Sequence, residues 1–140
     1  MELSAFASRW LAIGAALMLL GVLFGAFGAH VAAARLTPRD LEVLRTGVTY
    51  QQLHALGLVL IASLGRGPGD PGLLRVAARL LCAGIVVFSG SLYALALGGP
   101  RLLGAITPLG GLAFMAGWAV LVWHALRVAP YPARTGPPSA

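Results

Sequence analysis

Charge is what this sequence has least of. Only 10% of its 140 residues are charged, and just four of those are acidic, whereas a soluble domain carries about 25%. That leaves too little polar surface for a soluble fold of this length. The long apolar runs contain no carboxylate at all, which argues against proton-coupled transport, a function that places Asp or Glu inside the membrane. Cysteine occurs once, at Cys82. No internal disulfide can form, and the residue reads as a small core side chain. Ser89 and Ser91 lie in "FSGSLY", without the G-x-S-x-G turn of a serine hydrolase. Neither a catalytic set nor a metal set emerges, and the chain reads as non-enzymatic.

Apolar residues are abundant. Hydrophobic side chains make up 59% of the chain. Residues 10–29, 46–65, 80–100 and 102–126 hold no Asp, Glu, Lys or Arg. Each run is about 20 residues or longer, enough to cross a ~30 Å hydrocarbon core as a helix. The first run exceeds the roughly 7–15 residues of a signal-peptide h-region, so it reads as a retained helix. The spacing predicts an all-α membrane protein, a four-helix antiparallel transmembrane bundle over 1–129. The proline-rich 130–140, "YPARTGPPSA" with Pro130 before it, reads as a disordered tail.

Helix starts are marked by cap–proline pairs: Thr37-Pro38, Asp70-Pro71 and Thr107-Pro108. Asp40, three residues after Thr37, adds a variant of the capping box. Helix 2 is expected to begin near 38, helix 3 near 71, and helix 4 at 108, with 98–107 a loop dipping into the interface. Four spans put both termini on one side. That side carries Arg9, Arg66, Arg75, Arg79, Arg127 and Arg134, against Arg35, Arg39, Arg45 and Arg101 on the other. Six against four places the termini in the cytoplasm by the positive-inside rule. The net charge of +6 sits at helix ends. It suits anionic headgroups rather than nucleic acid, which needs a basic face with interleaved aromatics.

Small residues recur on single faces. Gly14, Gly21, Gly25 and Gly28 share one side of helix 1, and Gly110 and Gly117 one side of helix 4, a pattern that lets backbones approach in lipid. Polar residues gather at one depth. Tyr50 and His54 share a face of helix 2 with Gln51 beside it, and Ser89 and Tyr93 share a face of helix 3. Thr107 opens helix 4, and His30 closes helix 1. His30, Tyr50, Gln51, His54, Ser89, Tyr93 and Thr107 therefore fall in the leaflet opposite the termini. Polar groups in hydrocarbon turn inward, so one interior cluster is expected, with His30 at its rim. It serves either as a hydrogen-bond network holding the bundle or as a small ligand pocket.

Three functional readings follow. The first is an accessory or small-ligand-binding membrane protein. The second is a transporter or channel component, which must act as a homo-oligomer because four helices leave little room for a lumen. The third is a haem or quinone protein using His30 and His54. Partners are the lipid bilayer and a larger membrane complex or further copies of the chain.

The motifs "GAFGAH" (25–30), "TGVTYQQLHAL" (46–56), "FSGSLYALAL" (88–97) and "GAITPLGGLAFMAGW" (104–118) resemble the YgdD / transmembrane protein 256 family, also called domain of unknown function 423. The resemblance spans roughly residues 14–126. It implies a small four-helix integral membrane protein, in bacteria of the plasma (inner) membrane. The matching positions include Gly25, His30, Gly47, Tyr50, Gln51, His54, Ser89, Ser91, Tyr93, Thr107, Pro108 and Gly110. The resemblance brings no catalytic role.

Overall fold

Side chains cap the starts of the first two helices, the second at the expected Thr37. Ser4 Oγ accepts the Ala7 N–H at 3.1 Å, and Thr37 Oγ1 accepts the Asp40 N–H at 3.2 Å. Pro38 occupies the first turn, where its missing N–H costs no bond. The Asp40 carboxylate accepts from the Thr37 hydroxyl at 2.6 Å instead of reaching the backbone N–H of a full capping box. The structure is a computed structural model and describes residues 3–66 and 71–127. Asp70 and the tail at 130–140 lie outside them.

Four helices are long and apolar enough to cross a membrane: α1 (Ala5–His30), α2 (Pro38–Leu64), α3 (Gly72–Ala96) and α4 (Leu103–Arg127). Neighbouring helices run antiparallel, so the starts of α1 and α3 share one end of the bundle with the ends of α2 and α4. A Schellman turn closes α3. Gly98 takes φ +89°, while the Gly98 and Gly99 N–H groups bond the Leu95 and Ala94 carbonyls.

Helix 3 starts at Gly72, near the expected 71, with Pro71 at its cap position. Helix 4 starts at Leu103, not at 108, so the helix begins five residues earlier than the sequence implied. Successive bonds from Leu103, Gly104 and Ala105 N–H to the Pro100, Arg101 and Leu102 carbonyls wind the first turn. Thr107 Oγ1 folds back onto the Leu103 carbonyl at 3.0 Å and does not act as an N-cap. Pro108 stands inside the helix. So near the start it removes a single intrahelical bond, the one its N–H would have made to the Gly104 carbonyl.

α1 packs chiefly on α2, and α4 chiefly on α3. The inner pair, α2 and α3, buries far more of itself than the outer pair. Leu58, Ile61 and Leu81 are fully enclosed among Ala55, Ala77 and Ala78. A second core of Ala32, Leu44, Tyr93 and Ala96 lies at the other end. The outer surface presents Leu19, Leu23, Leu112, Met115 and Val122, a belt that suits acyl chains rather than water. The glycine faces do sit at helix contacts. A Cβ on Gly14 would come 2.9 Å from Val59 Cγ2, and one on Gly21 2.8 Å from Gln52 Cγ. Gly28 abuts Leu44, Gly110 abuts Phe88, and Gly117 abuts Leu81.

One π-helical turn, Ile85–Ser89, interrupts α3. A π turn inserts an extra residue and so rotates everything after it relative to everything before. Before the turn, Leu81 and Gly84 press on α4 through Gly117 and Phe114. After it, Tyr93 presses on α2 through Gly47, where a Cβ would lie 2.8 Å from the ring.

Candidate functional site

The seven polar side chains expected in one cluster divide into separate groups. Gln51 and Tyr93 form the first. Gln51 is buried near the middle of α2. Its amide nitrogen donates to the Leu17 carbonyl at 2.7 Å, and its Oε1 accepts from the Tyr93 hydroxyl at 2.8 Å. A helix carbonyl has a second lone pair, so Leu17 can accept this bond besides its own intrahelical one. The Tyr93 ring stacks on Phe24 of α1 at 4.4 Å. One glutamine thus ties α1, α2 and α3 together. Leu17 lies near the midpoint of α1, so this bridge reaches the middle of the bundle and is not confined to the end opposite the start of α1.

The second group joins α3 to α4. The Ser91 and Thr107 hydroxyls lie 2.7 Å apart. Ser91 Oγ also lies 2.9 Å from the Phe88 carbonyl, and Thr107 Oγ1 lies 3.0 Å from that of Leu103. Two hydroxyl protons serve three contacts, so the pair holds under either assignment of donor.

Tyr50 and His54 form the third group, and they do not enter an interior cluster. His54 Nδ1 lies 2.7 Å from the Tyr50 carbonyl, one turn back on the same helix. A carbonyl only accepts, so Nδ1 carries the proton and Nε2 of the neutral ring presents a lone pair. The imidazole stacks on Phe114 of α4 with centroids 3.4 Å apart and planes at 14°. Trp118 stands 6.2 Å away. Tyr50 packs on Phe88 at 4.6 Å, and Phe88 on Phe114 at 5.6 Å. Gly84 makes room for Phe114, whose ring occupies the place of a Cβ. The result is an aromatic wall from α2, the π turn of α3 and α4. Tyr50 is 40% exposed and Trp118 39%, so the wall opens sideways, toward lipid. Neither Tyr50 Oη nor His54 Nε2 bonds to any described residue. Ser89 Oγ is both fully enclosed and unpartnered among the described side chains, while His54 is buried at 7% exposure, behind the more open Tyr50.

Ser89 and His30 stand apart from these groups. Ser89 is fully buried at the end of the π turn. His30 ends α1 and is exposed. It lies on the helix that packs against the face of α2 bearing Leu44, Val48 and Val59, whereas His54 lies on the face toward α4. The two histidines do not face a common space, and the geometry gives no bis-histidine haem site. Among the described residues no group of three or more His, Cys, Asp or Glu side chains could hold a metal ion. Leu58, Ile61 and Leu81 fill the space between the helices, so one copy encloses no lumen there.

Sequence reasoning missed the parts that complete these groups: the Leu17 carbonyl, Ser91 as partner of Thr107, and Phe88, Phe114 and Trp118. For the wall a signal existed. Phe114 and Trp118 are four apart on one face of α4.

Comparisons with known proteins fit this architecture. The family described as "Protein of unknown function (DUF423)" matches residues 24–111. The UPF0382 membrane protein YwdK of Bacillus subtilis is 45% identical over 115 residues, covering 82% of this chain and 94% of that one. The UPF0382 membrane protein SH2409 of Staphylococcus haemolyticus is 44% identical over 111 residues, covering 79% and 88%. The UPF0382 inner membrane protein YgdD of Escherichia coli is 36% identical over 126 residues, covering 86% and 92%. No solved structure matches the chain.

Proposed function

The chain belongs to the DUF423 family of membrane proteins, and from that footing we propose that it binds a lipid-soluble ring molecule bearing a hydroxyl, of the quinol class, on the lateral face between α2 and α4. One observation carries this reading: Tyr50 Oη and His54 Nε2 have no partner among the described residues, and Tyr50, 40% exposed, stands at the open edge of the aromatic wall with His54, 7% exposed, just behind it. Acyl chains offer no hydrogen bond, and an unpaired polar group in hydrocarbon costs free energy. A ring hydroxyl donates to Nε2, and a second oxygen meets the phenol. The ring itself lies against the Tyr50 and Trp118 faces, where offset stacking is favourable. No chemical step is assigned, and the role is binding rather than catalysis. The protein resides in the inner membrane with its termini in the cytoplasm, and it does not engage nucleic acid.

The test uses Trp118 as reporter in a Trp10→Phe/Trp123→Phe background. A short-tailed naphthoquinol titrated into the purified protein in detergent should quench Trp118 saturably. His54→Phe keeps the stack on Phe114 but removes the lone pair. It should weaken binding about tenfold, the worth of one hydrogen bond, and adding Tyr50→Phe should weaken it further. Non-saturable quenching, or quenching unchanged in the double variant, defeats the reading.

A further inference from the structure

We propose a second site, for the phosphate of an anionic glycerophospholipid, in the cleft between the starts of α1 and α3. The cleft has a volume of about 420 Å³ and is lined by Ala5, Phe6, Arg9, Trp10, Arg75 and Arg79. It lies at the end of the bundle that carries the chain termini.

Local structure aims the three arginines at one space. Ser4 caps α1 and also reaches the Gly65 carbonyl at 3.5 Å. The Phe6 ring lies against Gly65, which has no side chain to exclude it. These contacts pin the first turn of α1 to the end of α2. Arg9, four residues after Ala5, then faces α3. Arg75 and Arg79 are four apart in the first turns of α3 and so share a face. Trp10 is only 8% exposed and, with Phe6, gives the cleft an apolar wall.

Three guanidinium groups around one cavity repel one another unless an anion joins them. Asp40 and Glu42 are the only carboxylates among the described residues, and both stand at the other end of the bundle, in the first turns of α2. Two helix N-termini add positive dipole ends beside the arginines. The larger cavity at the other end, about 600 Å³, makes a useful contrast. Its lining includes the carboxylate-bearing Asp40 beside Arg39 and Arg101, whereas the lining of the first cleft includes no carboxylate. A guanidinium grips phosphate oxygens through two parallel N–H bonds. At the membrane surface the diester phosphate comes attached to acyl chains, and Phe6 and Trp10 suit the glycerol end of those chains.

The test measures quenching of Trp10 by brominated lipids in a Trp118→Phe/Trp123→Phe background, with the full chain in phosphatidylcholine vesicles. Brominated phosphatidylglycerol should quench Trp10 at about thirtyfold lower mole fraction than brominated phosphatidylcholine, a preference in line with two arginines near an anionic surface. Arg75→Gln/Arg79→Gln should abolish the preference, while Arg39→Gln/Arg101→Gln should leave it intact. Equal quenching by the two lipids in the unsubstituted arginine background overturns the proposal without any arginine variant having to fold. Displacement of phosphatidylglycerol by millimolar inorganic phosphate would make the occupant free phosphate and overturn the lipid assignment. Persistence of the preference in the phosphate buffer supports it.

Discussion

The Gln51 amide nitrogen lies 2.7 Å from the Leu17 carbonyl oxygen, a side chain of α2 bonded to the backbone of α1 near the middle of its length. The other end of the same amide accepts from Tyr93. The two bonds share one side chain, so their losses should not add. Gln51→Leu strands the Tyr93 hydroxyl in a buried place and should destabilise more than Tyr93→Phe, which leaves Oε1 able to relax. A double-mutant cycle in bilayers should give a coupling of about 0.6 kcal/mol, and at most about 1.7, the range of intramembrane hydrogen bonds. Strict additivity would mean that the Gln51–Tyr93 bond contributes nothing.

Glycines at helix contacts differ in how closely the neighbour approaches. A Cβ on Gly110 would lie 2.8 Å from Phe88 Cα, with the Phe88 backbone nitrogen nearer still. Backbone cannot swing aside, so Gly110→Ala should cost about 1–3 kcal/mol, as overpacked cores do. A Cβ on Gly25 would meet only Val48 Cγ1, at 3.5 Å, an ordinary contact. Gly25→Ala should be neutral, or stabilise by up to about 1 kcal/mol through helix propensity. Melting of the two variants in one detergent checks the contrast. Equal losses would show that the gap at Gly25 is not real.

Much of this arrangement is legible in the residues themselves. Charge-free runs mark the spans because a helix in lipid tolerates few ions. The 7, 4, 3 spacing of Gly14, Gly21, Gly25 and Gly28 marks the contact face of α1. Thr37-Pro38 marks a true helix start. Thr107-Pro108 has the same form and does not, because the turn at 100–103 had already begun the helix and proline is tolerated near its start. The Leu17 carbonyl carries no sequence signature, since every residue has one. The π turn is equally silent, yet it decides which α3 side chains meet α2 and which meet α4. Spacing alone gives depth but not contact, and equal depth places Tyr50 and His54 with residues they do not touch.

Orientation rests on the arginine bias, six on the terminal side against four. In a Cys82→Ala background, a cysteine at residue 68, between α2 and α3, should be blocked by impermeant maleimide only after the cells are opened. A cysteine at residue 36, between α1 and α2, should react in intact cells. The two positions lie at opposite ends of α2, so the reverse pattern would invert the whole bundle.

Ser89 and Ser91 are two residues apart and should respond to alanine with opposite sign. Ser89 Oγ is fully enclosed and has no hydrogen-bond partner. Desolvating a hydroxyl without a partner costs about 1–3 kcal/mol. Ser89→Ala removes that hydroxyl and leaves a gap of only one oxygen, so it should be neutral or stabilise by about 1 kcal/mol. Ser91 Oγ instead bonds the Phe88 carbonyl and Thr107. Ser91→Ala leaves Thr107 its bond to Leu103 but removes the link between α3 and α4. It should destabilise by about 0.6–1.7 kcal/mol, and Thr107→Val on top of it should add little, because the link is already gone. Equilibrium unfolding of the single variants and the Ser91–Thr107 pair reads all of these. A loss at Ser89 larger than that at Ser91 would show that the enclosed hydroxyl holds a partner of its own, and that the π turn is kept for it.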